Sequence, residues 1–189
     1  MMKLALIDHN DSFTYNIVEL LRQFSRLTLE VLRSDDLRPE DLQVYDKLIL
    51  SPGPGLPRDF VHIKEILDRY KNQKPILGIC LGHQAIATYF GAKLLNLSQV
   101  VHGQPKEIIQ KNQGDLFAGL PARLEVGLYH SWVVSNENFP VALSINATTT
   151  GGQIMALQHK QLPLYGVQFH PESFMTEYGK ELMQNFLAL

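Results

Sequence analysis

The sequence predicts an α/β fold: a single domain with an open, mostly parallel β-sheet flanked by helices, and with additional antiparallel or mixed strands in its second half. Short apolar runs alternate with helical periodicity in the first half, which is typical of parallel strands covered by helices. After Gly91, extended segments follow one another without long helices between them. A length of 189 residues fits one domain.

The first half of the chain is predicted to contain four strands and three helices. Apolar runs predict the strands at residues 4–7, 27–32, 47–50 and 75–79. Apolar side chains at helical spacing predict the helices at residues 13–24, 61–70 and 82–90. Asp8 to Ser12 is interpreted as a capping sequence for the first helix, and Gly91 as the end of the third.

The second half is predicted to contain mainly strands. They are expected at residues 106–110, 123–129, 141–147, 154–158 and 164–169. Gly151 and Gly152 predict a hairpin turn between two of them. A C-terminal helix is predicted over residues 177–189, because four apolar residues share one face: Leu182, Met183, Phe186 and Leu187.

Composition excludes several classes of partner and site. The net charge is −2, from 17 basic and 19 acidic residues, and no basic run is present, so we expect no nucleic-acid partner. The N-terminal apolar stretch ends at Asp8, so we expect no export signal and no membrane partner. The single cysteine suggests a reducing compartment and a cytoplasmic location. Histidines and cysteine lack ligand spacing, so no metal site is predicted.

Cys80 is the strongest candidate for a nucleophile. It lies in the sequence GICLG, between a predicted strand and a predicted helix. A Gly-x-nucleophile-x-Gly turn places the reactive side chain on a tight bend that only very small neighbours allow. The helix N-terminus would favour a thiolate over a thiol. Because an isolated cysteine is often a packing residue, the prediction depends on finding a base, an acid and an oxyanion site.

His170 and Glu172 supply the base and the acid. They lie two residues apart after the last predicted strand, so the carboxylate can orient and stabilise the imidazole. His83, three residues after Cys80, is the rival base. It begins the next helical turn, whereas the elbow thiol is expected to point over the sheet edge, so His83 is disfavoured. Three other histidines are interpreted as surface or loop residues: His9, His62 and His159.

The loop at residues 51–55, SPGPG, is a candidate oxyanion site. Glycines let the main chain approach a substrate closely, and an amide near Gly55 could act together with that of Leu81. A phosphate loop is disfavoured, because no Gly-Lys-Ser/Thr follows and the first basic residue is Arg58. An ordinary Pro/Gly turn remains a possible interpretation.

Together these residues resemble the motifs of the class I (triad) glutamine amidotransferases. The matching segments are residues 51–55 (SPGPG), 78–84 (GICLGHQ), 129–131 (YHS) and 166–173 (GVQFHPES). Residues 11–16 (DSFTYN) are similar to the small glutaminase subunits of anthranilate synthase and aminodeoxychorismate synthase. The resemblance covers the whole chain, so residues 1–189 are expected to form one glutamine amidotransferase domain.

The resemblance implies a role for each matched residue. Cys80 would attack the γ-carboxamide of L-glutamine, His170 would move a proton onto departing ammonia, and Glu172 would hold His170. Leu81 would belong to the oxyanion hole, and the matched glutamine-binding residues are Gly53, Pro54, Gly55, Gln84, Ser131 and Trp132. The family uses no cofactor in this step. The ammonia would pass to a separate synthase subunit that acts on chorismate.

Two other function classes were weighed against this one. An α/β-hydrolase esterase would explain the elbow, but that fold orders its triad nucleophile, acid, histidine, whereas Glu172 follows His170 here. A catalytically silent binding subunit has no need for a complete set of Cys, His and Glu. Both classes are therefore disfavoured.

Overall fold

The computed structural model describes residues 1–112 and 114–189, apart from the side chain of Gln99. The strands in chain order are β1 (Met2–Asp8), β2 (Leu27–Arg33), β3 (Lys47–Leu50), β4 (Ile76–Ile79), β5 (Leu94–Gln110), β6 (Arg123–Val134), β7 (Leu143–Thr149), β8 (Ile154–His159) and β9 (Leu164–Val167). The helices are α1 (Thr14–Leu21), α2 (Val61–Tyr70), α3 (Leu81–Tyr89) and α4 (Gly179–Ala188).

Within the described residues, the nine strands form one sheet in the order β2-β1-β3-β4-β9-β8-β7-β5-β6. The first five in this order are parallel, and the remaining pairings are antiparallel. The predicted α/β class, with its parallel first part and antiparallel extension, is confirmed. Because β1, β3, β4 and β9 run in one direction, the loops that follow them meet at the same edge of the sheet. Open α/β sheets bind their ligands at this edge.

The core lies on both faces of the parallel half. Leu4 and Leu6 of β1 pack into a cluster with α1 and α4, whereas Ala5 and Ile7 pack into a second cluster with α2 and α3. Successive side chains of a strand point to opposite faces, so a central strand covered by helices on both sides is apolar at every position. This burial explains why β1 appears in the sequence as a continuous apolar run.

The predicted boundaries are most accurate in the parallel half and least accurate in β5. The structure matches the predicted limits of β3 and α2, but β5 begins at Leu94 rather than at residue 106, and β6 continues to Val134. Residues 94–107, Gln99 aside, are half-buried or exposed, and the β5–β6 register shifts twice. The first part of β5 forms with β6 a two-stranded ribbon that is exposed on both faces. Because neither face is buried, apolar and polar residues need not alternate, and the sequence lacks the pattern that predicts a strand.

The ends of several elements show local chemistry. Asp8 does not cap α1 directly; instead its carboxylate accepts hydrogen bonds from the Thr14 hydroxyl at 2.7 Å and the Asp11 N–H at 3.3 Å. The predicted hairpin turn at Gly151 and Gly152 joins the antiparallel strands β7 and β8.

Among the described residues, no helix has the length and apolar character needed to cross a bilayer.

Candidate active site

Cys80 occupies a strained turn between β4 and α3. Its backbone angles are φ 50° and ψ −96°, a region that non-glycine residues rarely adopt. Two backbone hydrogen bonds hold it there: its N–H donates to the carbonyl of Val167 at 2.8 Å, and its carbonyl accepts from the N–H of Gln84 at 3.0 Å. Such strain persists only where the surroundings determine it, and it concentrates at functional sites.

The glycines on either side of Cys80 are required by close backbone approach. A Cβ on Gly78 would lie 2.3 Å from the carbonyl carbon and oxygen of Gly82, and one on Gly82 would lie 2.5 Å from the carbonyl oxygen of Leu50. Real side chains never approach backbone atoms this closely. The expectation that only very small residues fit around the elbow is confirmed.

His170 and Glu172 form a buried pair beyond the end of β9. Nδ1 of His170 lies 2.7 Å from Oε1 of Glu172, and the two side chains are 2% and 0% exposed. The rings of Phe13 and Tyr129 stand edge-on to the imidazole at centroid distances of 5.2 and 5.0 Å. Because Glu172 engages Nδ1, Nε2 is the nitrogen left for proton transfer. The sequence-predicted base and acid are therefore adjacent and oriented.

The pKa of His170 depends on opposing effects of burial and of its two partners. Burial lowers it, but hydrogen bonding and charge interaction with Cys80 and Glu172 outweigh the burial and raise the pKa to about 10. Nε2 is near enough to Cys80 for this interaction but does not form a hydrogen bond of good geometry within the described residues.

A small cavity of about 170 Å³ opens in front of Cys80. The predicted binding residues all line it: Gly53, Pro54, Gly55, Leu81, Gln84, Ser131 and Trp132. Tyr129 and His130 complete the wall. Burial and the charge of His170 lower the pKa of His130 to about 4, so its imidazole is neutral at pH 7. The lining contains no Lys, Arg, Asp or Glu, which suits the uncharged carboxamide of a substrate.

A larger cavity of about 630 Å³ lies between α2 and α3, and none of the predicted site residues lines it. Cavity size alone would therefore select a place other than the predicted active site. Among the described residues, no group of three or more His, Cys, Asp or Glu side chains has an arrangement that could hold a metal ion.

The loop after β3, residues 51–55, contacts both the end of β1 and the turn that carries Cys80. The hydroxyl of Ser51 accepts a hydrogen bond from the N–H of His9 at 2.9 Å. A Cβ on Gly53 would lie 2.7 Å from Cδ2 of Leu81 and 2.8 Å from Cβ of His9. Gly55 has φ +74°, which favours glycine. These contacts bring the main chain of the loop beside Cys80. The role of the loop amides in an oxyanion hole remains a prediction.

Gln84 and Gln168 form a buried amide chain that ends at Cys80. Nε2 of Gln84 donates to the carbonyl of Trp132 at 2.8 Å and to Oε1 of Gln168 at 3.2 Å, and Nε2 of Gln168 donates to Sγ of Cys80 at 3.5 Å. Sequence reasoning missed Gln168, although it lies two residues before His170. Residues two apart in an extended segment share a side, and this spacing could have identified it.

His83 lies inside the fold rather than at the reactive edge. It is fully buried in α3, and its ring packs against Gly166 of β9, where a Cβ would lie 2.9 Å from Nδ1. Neither ring nitrogen has a hydrogen-bond partner of good geometry in the described part of the chain. Burial lowers the pKa of His83 to about 3, so the ring is neutral. These features favour a packing role over that of a base.

The expectation of a surface or loop position is half right for His9, which lies in the loop after β1 but not at the surface. Its side chain is fully buried, and its ring stacks on that of His62 at a centroid distance of 5.4 Å. Burial and the neighbouring His62 lower the pKa of His9 to about 3. His9 follows β1 at the point where the strand order reverses, so the Gly53 loop covers it. His62 lies in α2 and His159 at the end of β8 rather than in loops, and both are half-buried.

Comparison with known proteins identifies the family. The family model "Glutamine amidotransferase class-I" matches residues 5–189. A Haemophilus influenzae protein named for anthranilate synthase component II is 43% identical, over 100% of this chain and 97% of its own length. The aminodeoxychorismate/anthranilate synthase component 2 of Bacillus subtilis is 38% identical, over 97% of this chain and 95% of its own.

A solved structure agrees with these sequence relatives. A Thermoplasma acidophilum protein named as part of a GMP synthase superimposes with a TM-score of 0.88 at 27% identity, covering 100% of this chain and 93% of its own. The fold, the buried His–Glu pair beside the elbow cysteine and the family match all agree. This chain belongs to the class I glutamine amidotransferase family.

Proposed function

We propose that this protein is the glutaminase subunit of a chorismate-using synthase. It hydrolyses L-glutamine through a thioester on Cys80 and delivers ammonia to a partner that makes anthranilate or 4-amino-4-deoxychorismate. The whole chain, residues 1–189, acts as one glutamine amidotransferase domain. The observation that carries the proposal is the strained Cys80 beside the buried His170–Glu172 pair, facing a cavity without charged lining.

The first chemical step forms a thioester. Sγ of Cys80 attacks the carbonyl carbon of the substrate γ-carboxamide, and the carbonyl oxygen becomes an oxyanion. The N–H of Leu81 at the start of α3 and a main-chain amide of the residue 53–55 loop stabilise that charge. His170 then gives the proton on Nε2 to the leaving nitrogen. The carbon–nitrogen bond breaks, and ammonia and a γ-glutamyl thioester remain.

The second step returns the enzyme to its starting state. Neutral His170 removes a proton from water, and the resulting hydroxide attacks the thioester carbonyl. The carbon–sulfur bond breaks, glutamate leaves, and Cys80 and His170 are again thiolate and imidazolium. Glu172 stays charged throughout and holds Nδ1, so the same imidazole serves as acid and then as base.

Exposed apolar side chains beside the site support a protein partner. Phe174 is 90% exposed two residues after Glu172, and Tyr15 is 68% exposed two residues after Phe13, which touches His170. Large exposed apolar side chains near a functional site are typical of protein interfaces. The relatives named as component II or component 2 agree with a partner, because those names describe one part of a larger synthase.

The test uses the complex of this chain with its copurified synthase subunit. Cys80→Ser should abolish product formation from glutamine, because a serine hydroxyl is far less nucleophilic than a thiolate at neutral pH. Synthesis from added ammonium salts should continue unchanged. Identifying the product as anthranilate or 4-amino-4-deoxychorismate assigns the partner's reaction.

Two outcomes would contradict the proposal. Glutamine use retained by Cys80→Ser would exclude Cys80 as the nucleophile. A wild-type complex that makes product from ammonium salts but never from glutamine would exclude the glutaminase function. Turnover of a nitrophenyl ester that exceeds turnover of glutamine would favour an esterase instead.

A further inference from the structure

Gln168 touches the reacting sulfur, and the reaction steps above leave it without a role. It follows β9 directly, its side chain is fully buried, and its Nε2 lies 3.5 Å from Sγ of Cys80. Hydrogen bonds to sulfur are longer than those to oxygen, so this distance is a contact between an amide donor and the nucleophile. It is a buried polar group aimed at the sulfur that acts as the nucleophile in the proposed reaction.

The orientation of the Gln168 amide follows from its neighbours. Gln84 uses Nε2 to donate both to the carbonyl of Trp132 and to Oε1 of Gln168. If the Gln168 amide were flipped, its NH₂ would face the NH₂ of Gln84, and two donors would oppose each other. The Gln168 oxygen therefore faces Gln84, and its N–H groups face Cys80. The chain of amides presents a donor to the sulfur.

We propose that Gln168 is a further catalytic residue whose amide N–H stabilises the negative charge on the Cys80 sulfur. This inference rests on the proposed role of Cys80 as nucleophile. A hydrogen bond to a charged acceptor contributes more than one to a neutral acceptor, so the contact favours the thiolate over the thiol. It weakens when the sulfur becomes a neutral thioester and strengthens again when the thiolate leaves.

The Gln168 amide keeps its hydrogen-bond donors throughout the reaction, whereas the proton on His170 is transferred. His170 gives its proton to the leaving nitrogen, so its positive charge is absent from the site while the thioester exists. The amide of Gln168 does not titrate in this range and donates to sulfur at every stage. Its donor therefore stays in place while His170 passes from imidazolium to imidazole and back, and it adds to the charge of the regenerated imidazolium when the thiolate leaves.

The experiment replaces Gln168 in the full chain and measures the sulfur directly. Gln168→Met keeps a side chain of similar length without an N–H, and Gln168→Glu places a carboxylate against the sulfur. Cys80 is the only cysteine, so the rate of alkylation by iodoacetamide reports this one thiolate. The matched control is Gln158→Met, because Gln158 of β8 accepts a hydrogen bond from the N–H of Asp115, away from the triad.

The expected result is a graded change in thiolate reactivity. For Gln168→Met, the pH of half-maximal alkylation rate should rise by about one unit, and alkylation at pH values well below the wild-type midpoint should slow by about tenfold. Gln168→Glu should shift further in the same direction. Gln158→Met should follow the wild type. In the complex, kcat/KM for glutamine should fall by about tenfold for Gln168→Met, while ammonia-dependent synthesis stays unchanged.

An unchanged alkylation profile in folded Gln168→Met would overturn the proposal, whatever happens to stability. If that variant does not fold, Gln168→Asn serves instead, because its shorter amide remains polar but cannot reach the sulfur. A wild-type complex without glutaminase activity but with the predicted alkylation shifts would refute the proposed function and leave the Gln168–Cys80 contact supported. Loss of activity without an alkylation shift would assign Gln168 a packing role.

Discussion

His170 at the edge of the sheet and His83 inside α3 are buried to nearly the same extent, yet their chemistry is opposite. His170 is 2% exposed and His83 is 0% exposed. For His83 burial, assisted by the nearby His130 and opposed by the Gly166 backbone, lowers the pKa to about 3, whereas for His170 the partners Cys80 and Glu172 overcome burial and raise the pKa to about 10. Burial by itself makes a histidine neutral. Charged partners decide whether it becomes a catalytic imidazolium.

The difference arises from where each histidine lies in the fold. His170 follows a strand whose end meets the elbow, so Cys80 and Glu172 both reach it. His83 lies on the side of α3 that packs against Gly166, where the groups that act on its ring are the Gly166 backbone and the imidazole of His130. His170 therefore belongs to the proposed reactive site, whereas His83 belongs to the packed interior. Each of the following experiments changes one of these two surroundings.

The largest effect is expected from removing the two imidazoles in turn. His170→Ala should lower kcat for glutamine in the complex by about 10² to 10⁴, the range for a general acid–base residue. His83→Ala should keep kcat within about threefold of the wild type while lowering the melting temperature, because it leaves a cavity. Steady-state glutaminase assays and thermal unfolding measure both. An equal loss of kcat in correctly folded His83→Ala would mean that the base has been assigned to the wrong histidine.

A smaller effect is expected from removing the charge that distinguishes the two regions. Glu172→Gln keeps the shape of the side chain but should lower kcat by about 10², because the imidazolium loses its carboxylate partner. The pKa of His170 should fall from about 10, which NMR titration of the imidazole can follow. The control is Glu177→Gln, because the Glu177 carboxylate accepts the N–H of Glu125 at 3.0 Å on the exposed surface. An unaltered titration midpoint in Glu172→Gln would show that Glu172 does not support the imidazolium.

The smallest effect is expected in the pH dependence of stability, with opposite signs for the two kinds of histidine. Chiefly because of burial, the pKa values of three histidines are lowered: His9 to about 3, His83 to about 3 and His130 to about 4. Their contribution to the free energy of unfolding is therefore fully present above about pH 6.5 and is lost as the pH falls toward 4. The pKa of His170 is raised to about 10, so its contribution is present below about pH 6.5 and is lost as the pH rises toward 10.

Urea unfolding at pH 5, 7 and 9 measures these changes. Each titrating histidine contributes up to about 1.4 kcal/mol per pH unit. His83→Phe should reduce the loss of stability in acid, and His170→Phe should reduce the loss in alkali. If both variants kept the wild-type dependence on pH, other groups would control the acid and alkaline limbs.

Local signals in the sequence predicted the parallel half well. The apolar runs of β3 and the helical spacing of α2 match the observed limits, because strands buried on two faces and helices packed on a sheet leave strong patterns. The first part of β5 was missed because it forms an exposed ribbon with β6. Cys80, His170 and Glu172 were found from their positions at predicted strand ends.

The sequence could not predict the surroundings of individual side chains. His9 was expected at the surface or in a loop, and only the structure shows that it is buried in its loop, beneath Gly53 and stacked on His62. Gln168 was recognised as part of a motif, but its contact with the sulfur depends on Gln84, which lies 84 positions away in the chain. Such contacts depend on how β4, α3 and β9 pack, and no local pattern records that packing.

The sequence alone therefore determined the α/β class, the order of the principal elements and the residues of the triad. These follow from short-range periodicity and from glycines at a turn where no larger residue fits. Only the tertiary structure decided which buried histidine is charged and which is neutral. That choice depends on whether Cys80 and Glu172, or the Gly166 backbone and the neutral His130, lie beside the ring, because electrostatic interactions act through space rather than along the chain.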